Sequence, residues 1–193
     1  MVTERRKEKI RRVLENRQPD LTVVCENIHD PHNVSAILRT CDAAGVHRVC
    51  LLYTEEPFPE LGKKSSASAK KWIEIQKFKT HQDLHQFLKD ENFNIYATHL
   101  GKTSVSIYDI DWTRPAAIIV GNEHRGISEE ALAIADQNVY IPMFGMVESL
   151  NVSVATAVIL YEAVRQRLQK GLYPSPHLSE DWLSEKIKEW LEK

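Results

Sequence analysis

Short apolar runs of four to eight residues alternate along this chain with stretches of helical period, and that alternation leaves few folds open. The runs are LTVVCENI (21–28), RVCLLY (48–53), WIEIQKF (72–78), NIYATHL (94–100), AAIIV (116–120) and VYIP (139–142). Each is short enough for a strand and too short for a buried helix. Helical spacing marks 33–44, 83–92, 128–136 with Ser128 as its cap, and 149–169. Strands that alternate with helices predict an α/β fold, with a mainly parallel sheet and helices on both faces. In such sheets ligands sit beyond the C-terminal ends of the strands.

At 193 residues the chain suits one domain with short extensions. Its longest apolar runs fall far short of the roughly 20 residues that cross a bilayer, so no membrane is expected. The start, MVTERRKEKIRR, has no apolar segment behind its charges and does not read as a secretory signal. Cys25, Cys41 and Cys50 are odd in number and lack ligand spacing, which predicts reduced core thiols in a cytoplasmic protein. The formal charge is −2, but it is unevenly spread. Residues 1–17 carry seven Arg or Lys against three Glu, and Ile10, Val13 and Leu14 give this basic arm one apolar face. A basic arm suits RNA, and it equally suits a solvated helix face. A Pro-, Lys- and Ser-rich stretch at 54–71 predicts a long exposed loop, and Leu183, Ile187, Trp190 and Leu191 mark a terminal helix.

Four segments leave strands with unusual chemistry: ENIHDPHN, ATHLGKTS, GNEHRGIS and IPMFGMVESLN. GNEHRGIS runs from a buried strand into a helix, where main-chain N–H groups can hold an anion. Gly121 and Gly126 have the spacing of a phosphate loop, but Ile127-Ser128 replace the Lys-Ser/Thr it needs, which argues against nucleotide hydrolysis. Glu123 lies between those glycines with no evident structural duty. Asn33 reads as a cap after Pro31. Arg39 stands among Ile37, Leu38 and Cys41, where a guanidinium needs oxygen partners; a salt bridge to Glu26 or Glu123 and a phosphate contact both meet that need. His29 and His32 stand at H-x-x-H spacing without a further ligand cluster, so no metal is expected. Ser149 can cap the long helix, leaving Asn151 as a buried amide in its first turn. Met143, Phe144 and Met146 read as core-filling side chains, with cover for an apolar ring of a ligand as the alternative.

Three of these stretches, N-V-S-A-I-L-R-T-C-D-A-A-G (33–45), I-I-V-G-N-E-H-R-G-I-S (118–128) and I-P-M-F-G-M-V-E-S-L-N-V-S-V-A (141–155), together resemble the SpoU/TrmH branch of the SPOUT class of RNA methyltransferases. R-Q-P-D-L-T-V (17–23) and R-Q-R-L-Q-K-G-L-Y (165–173) extend the likeness over most of the chain. The resemblance implies a deep C-terminal trefoil knot at about 116–170, inside a methyltransferase domain at 20–170. A basic helical extension, 1–19, would precede that domain and a second helical extension, 171–193, would follow it. It implies S-adenosylmethionine as cofactor, lined by Thr98, Leu100, Gly121, Ile141 and Leu150, and a homodimer with the active site at the subunit interface. Asn33, Arg39, Glu123, Ser149 and Asn151 match the branch's polar site positions. For Arg39 the resemblance implies the role of base, and ribose-phosphate binding is the alternative. Glu148 departs from the glutamine common there. The implied reaction is 2′-O-methylation of tRNA, at guanosine 18 of the D-loop, with Arg6, Lys9, Arg17, Arg165 and Arg167 on the RNA. The alternatives are another tRNA position or ribosomal RNA, and, from a different class, a non-catalytic RNA-binding protein.

Overall fold

A computed structural model describes residues 3–60 and 69–193. The helix of the basic arm is α1 (Glu4–Glu15), capped by the Thr3 hydroxyl. Then follow β1 (Gln18–Glu26), α2 (Pro31–Ala43), β2 (Val46–Leu52), α3 (Ala69–Trp72), β3 (Glu74–Phe78), α4 (His81–Asp90) and β4 (Asn94–Thr98). The second half holds β5 (Val105–Ser106), β6 (Ala116–Val120), α5 (Glu129–Ile134), β7 (Gln137–Tyr140), α6 (Val152–Gln169) and α7 (Glu180–Leu191). Of the loop expected at 54–71, residues 61–68 lie outside the described residues and Ala69–Trp72 form a short helix.

The sheet has seven strands in the order β3-β2-β1-β6-β4-β7-β5, and every pairing is parallel. Parallel strands are covered on both faces, which is why they read as unbroken apolar runs. In β1, Val23 and Cys25 face α2 and α6, packing with Ile37, Leu38, Ile159 and Leu160. Val24 points the other way, toward Leu84 and Leu88 of α4 and Ala131 of α5. Successive residues of a strand must face opposite sides, so a strand buried on both needs both kinds of apolar neighbour. β6 enters between β1 and β4, pairing Leu21–Cys25 on one edge and Asn94–Ala97 on the other. All five of its residues are buried. The three cysteines are buried too, and desolvation raises their thiol pKa values.

β1 begins at Gln18, three residues before the expected start, because Gln18 already pairs with Val46. The register shifts between Gln18 and Thr22, the place where Pro19 can lack a ladder N–H. The terminal helices form a further layer: Ile10 and Leu14 of α1 pack with Leu183 and Trp190 of α7, and Trp72 joins them.

Two arginines expected on RNA are instead wholly buried. The Arg17 guanidinium donates to the Val46 and Trp72 carbonyls and to Asp42, and lies 5.3 Å from the Trp190 ring centroid. Arg167 donates to the Trp112 carbonyl (2.9 Å), to Gln18 Oε1 (2.8 Å), to Asp20 Oδ1 (2.6 Å) and to the Arg114 carbonyl (3.0 Å). A buried guanidinium needs oxygen partners, and main-chain carbonyls, Gln18 and two aspartates supply them here, with only Arg17 Nε left without one among the described residues. Both residues tie the body together and neither can touch a phosphate without unfolding its surroundings. Arg167→Met should therefore destabilise the fold by about 3–5 kcal/mol, because it strands the Asp20 charge. Urea denaturation followed by circular dichroism measures this. A change within about 0.5 kcal/mol, the range of a surface substitution, would show that the clamp contributes nothing.

Candidate functional site

Because β1, β4, β6 and β7 run parallel, the segments that follow them emerge at one edge of the sheet. The turn after β6 is closed by reciprocal N–H···O bonds of 2.9 Å between Asn122 and Gly126. A Cβ on Gly121 would sit 2.4 Å from the Gly126 carbonyl oxygen, so no other residue fits that position. Asn122 stiffens the turn further. Its side-chain oxygen accepts from the N–H groups of His124 (2.9 Å) and Arg125 (3.1 Å), and its amide donates 2.7 Å to the Asn27 carbonyl. Asn27 has a left-handed backbone (φ 45°), and its Oδ1 accepts from the N–H groups of Thr54 (3.0 Å) and Glu55 (3.1 Å). Neither asparagine was picked out by sequence. Their positions at strand ends, E-N-I and G-N-E, were the available signal.

The two helix entrances differ from expectation. Asp30, not Asn33, caps α2, with Pro31 in the first turn. Asn151, not Ser149, caps α6, its oxygen accepting from Ser153 N–H at 2.9 Å. Asn151 is exposed rather than buried. These shifts free Asn33 to bridge. Its amide nitrogen donates 2.8 Å to Glu123 Oε1, and its oxygen accepts from Asn151 Nδ2 at 3.1 Å. Glu123 also accepts the N–H groups of His29 (2.9 Å) and Asp30 (3.2 Å). A polar chain thus joins the entrance of α6, the entrance of α2 and the turn after β6. Burial pushes the Glu123 carboxyl pKa up, but the bonds from Asn33, His29 and Asp30 outweigh it and hold it below the ordinary value.

Beside this chain opens a cavity of about 520 Å³. Thr98, Leu100, Gly121, Ile141 and Leu150, the five residues expected at the cofactor, all line it. Glu123, Ser149 and Asn151 share its wall. Among the described residues the main-chain N–H groups of Leu100, Ile141 and Leu150 donate to nothing. Asn33 reaches the cavity through Glu123 and Asn151. Arg39 does not line it. It is exposed on α2, and neither Glu26 nor Glu123 pairs with it, because Glu26 holds Ser128 and His81. Its apolar sequence neighbours occupy the buried face of α2, which leaves the arginine on the opposite one. Phe144 and Met146, expected in the core, are 98% and 99% exposed. Of the expected RNA residues, Arg6 and Lys9 are exposed on α1, away from the cavity, and Arg165 is exposed but bound to Glu162 and Gln169.

Comparison with known proteins places the geometry in a family. Residues 20–161 match the model of the SpoU rRNA Methylase family. The tRNA (guanosine(18)-2′-O)-methyltransferase of Thermus thermophilus is 48% identical over 194 residues, covering 99% of this chain and 98% of that protein. The crystal structure of the Aquifex aeolicus TrmH/SpoU tRNA modifying enzyme is similar over 98% of this chain and 96% of that one, with a TM-score of 0.90 and 43% identity. AviRb of Streptomyces viridochromogenes, a SpoU methyltransferase solved in complex with the cofactor AdoMet, is 26% identical with a TM-score of 0.72; the alignment covers 79% of this chain and 62% of that one. On the family match and this near full-length identity, the chain belongs to the SpoU methylase family.

Proposed function

We propose that this protein transfers a methyl group from S-adenosylmethionine to a ribose 2′-hydroxyl of tRNA, at guanosine 18 of the D-loop. One observation carries the reading: residues from three of the four strand-end segments line a single cavity in a chain 48% identical, over 99% of its length, to a methyltransferase of that name. The cavity fits the cofactor by its own chemistry. Its walls combine apolar side chains such as Val139, Ile141 and Ile159 with the unpartnered N–H groups of Leu100, Ile141 and Leu150, a pairing suited to an adenine ring and its polar edge. S-adenosylmethionine, when bound, would supply a sulfonium-borne methyl to the ribose oxygen, the sulfur leaving as a neutral thioether and the hydroxyl proton passing to solvent.

The chain's own residues position that exchange. Glu123, fully engaged by its donors, is a positioning residue that keeps Asn33 and Asn151 aligned at the cavity mouth. Arg39 acts as a cation that holds the ribose-phosphate. A guanidinium resists deprotonation, and a neighbouring phosphate only stabilises its charged form. Holding the reactants in line supplies much of the acceleration. Arg6 and Lys9 make no ion pair among the described residues and serve as backbone contacts for the RNA.

The assembly is a homodimer in this reading, with Arg39 completing the site across the interface. Val154, Tyr161 and Leu168 recur every seven residues on the exposed face of α6 and form an apolar stripe next to the site. The 116–170 segment is read as a trefoil knot, supported by β6 and β7 being inserted between strands formed earlier in the chain. The domain limits follow: a basic extension at 1–19, the methyltransferase domain at 20–170 and a C-terminal extension at 171–193.

With labelled S-adenosylmethionine and an unmodified tRNA transcript, alkaline hydrolysis should leave one gap in the ladder, at guanosine 18. A gap elsewhere would move the target, and no label would sink the reading. Arg39→Lys should cut turnover at least about tenfold, since a lysine loses the two-pronged phosphate contact. Near-normal turnover would remove the guanidinium role. Tyr161→Asp should shift the sedimentation of the protein from dimer toward monomer. A wild-type monomer would refute the interface.

Glu123→Gln tests the polar chain through pH. A carboxyl whose folded pKa lies below its ordinary value of 4.5 stabilises the fold above that pH and loses its contribution as pH falls through the folded value. The gap in unfolding midpoint between wild type and Glu123→Gln should therefore be widest near neutral pH and close below about 4.5. A gap that stays constant with pH would mean that the charge is irrelevant.

A further inference from the structure

The cavity carries a charge imbalance that the positioning roles above do not use. Among the described residues its lining includes no lysine and no arginine, yet it includes two carboxylates, Glu123 and Glu148. Their situations differ. Glu123 is surrounded by three N–H donors that consume its oxygens. Glu148 is exposed at the mouth and, among the described residues, makes neither a hydrogen bond nor an ion pair. A carboxylate without a local partner projects its field into the space it borders, and a low-dielectric wall on the other side strengthens that field. The same lining includes the apolar side chains of Val139, Ile141 and Ile159.

We propose that Glu148 is a specificity-determining residue whose carboxylate makes the cavity prefer the cationic methyl donor to its neutral-sulfur product. This rests on the reading of the cavity as the S-adenosylmethionine site. The donor bears a sulfonium, an ammonium and a carboxylate, so its net charge is +1. S-adenosylhomocysteine has lost the sulfonium charge with the methyl group and is net neutral. One unit of charge is the whole electrostatic difference between the two, and an unpaired carboxylate reads that difference directly. The same field repels an RNA phosphate, which keeps the nucleic-acid backbone outside the cavity and leaves it to Arg39.

The test is calorimetric binding of three ligands to the full-length protein without RNA: S-adenosylmethionine, S-adenosylhomocysteine and sinefungin, which carries an ammonium where the sulfonium stands. Glu148→Gln should weaken the two cationic ligands by about three- to tenfold, the size of one partly screened charge interaction, and leave the neutral product unchanged. Glu148→Asp keeps the charge and should keep the preference. Raising the salt concentration should shrink the wild-type preference, because the carboxylate is exposed. Equal weakening of all three ligands, or no change in any, would overturn the proposal while leaving the cavity's assignment intact. Failure of the wild-type protein to bind any of them would overturn both.

Discussion

Strand β6 is the member on which the rest of the molecule hangs. Its five apolar residues pair in parallel with β1 on one side and β4 on the other, and every one of them is buried. Remove it and the sheet separates into two parts, each with an open edge and one uncovered row of side chains. Because β6 runs the same way as β1, β4 and β7, the segments leaving all four strands meet at one edge. Parallel pairing requires long crossovers, and those crossovers carry α2, α4 and α5; α6, which follows the last strand, packs beside α2 and completes the cover. The site is thus a geometric consequence of how β6 is paired.

What joins those segments is polar rather than apolar. Ser153, Asn151, Asn33 and Glu123 form a continuous run of hydrogen bonds ending on the N–H groups of His29 and Asp30. An exposed pair of this kind contributes little alone. Here the members share partners across two helix entrances and a turn with no room for a side chain on Gly121, so each holds the next in place. The ionised carboxylate is the anchor of the run, which explains its lowered pKa despite burial. A rigid frame around an open cavity suits a reaction whose main demand is alignment.

The arginines illustrate what patterning cannot separate. Arg6, Arg17, Arg165 and Arg167 look alike in a list of basic residues flanking a helix. In the fold Arg6 meets solvent, Arg165 binds Glu162, and Arg17 and Arg167 are interior clamps on main-chain carbonyls. The converse error concerns Phe144 and Met146, which hydrophobicity assigned to the core and which stand almost fully exposed. Arg39 goes the opposite way to the clamps, from apolar sequence neighbours to an exposed position. Its neighbours are buried, but a helix turns 100° per residue, and that rotation carries the arginine to the solvent side.

Local composition by itself determined the α/β class, the parallel sheet, nearly every element to within a few residues, and the four segments that would carry the chemistry. These follow from periodicity and from the need of short apolar runs to be covered on both faces. Only the tertiary structure decided which asparagine caps which helix, that Asn27 and Asn122 stiffen the site, and which charges are interior. Caps and bridges depend on the angle at which two helices approach a third segment, and that angle is set by β6 lying between β1 and β4. A guanidinium's role likewise depends on which carbonyls end up beside it, and those of Trp112 and Arg114 lie more than fifty residues from Arg167 in the chain.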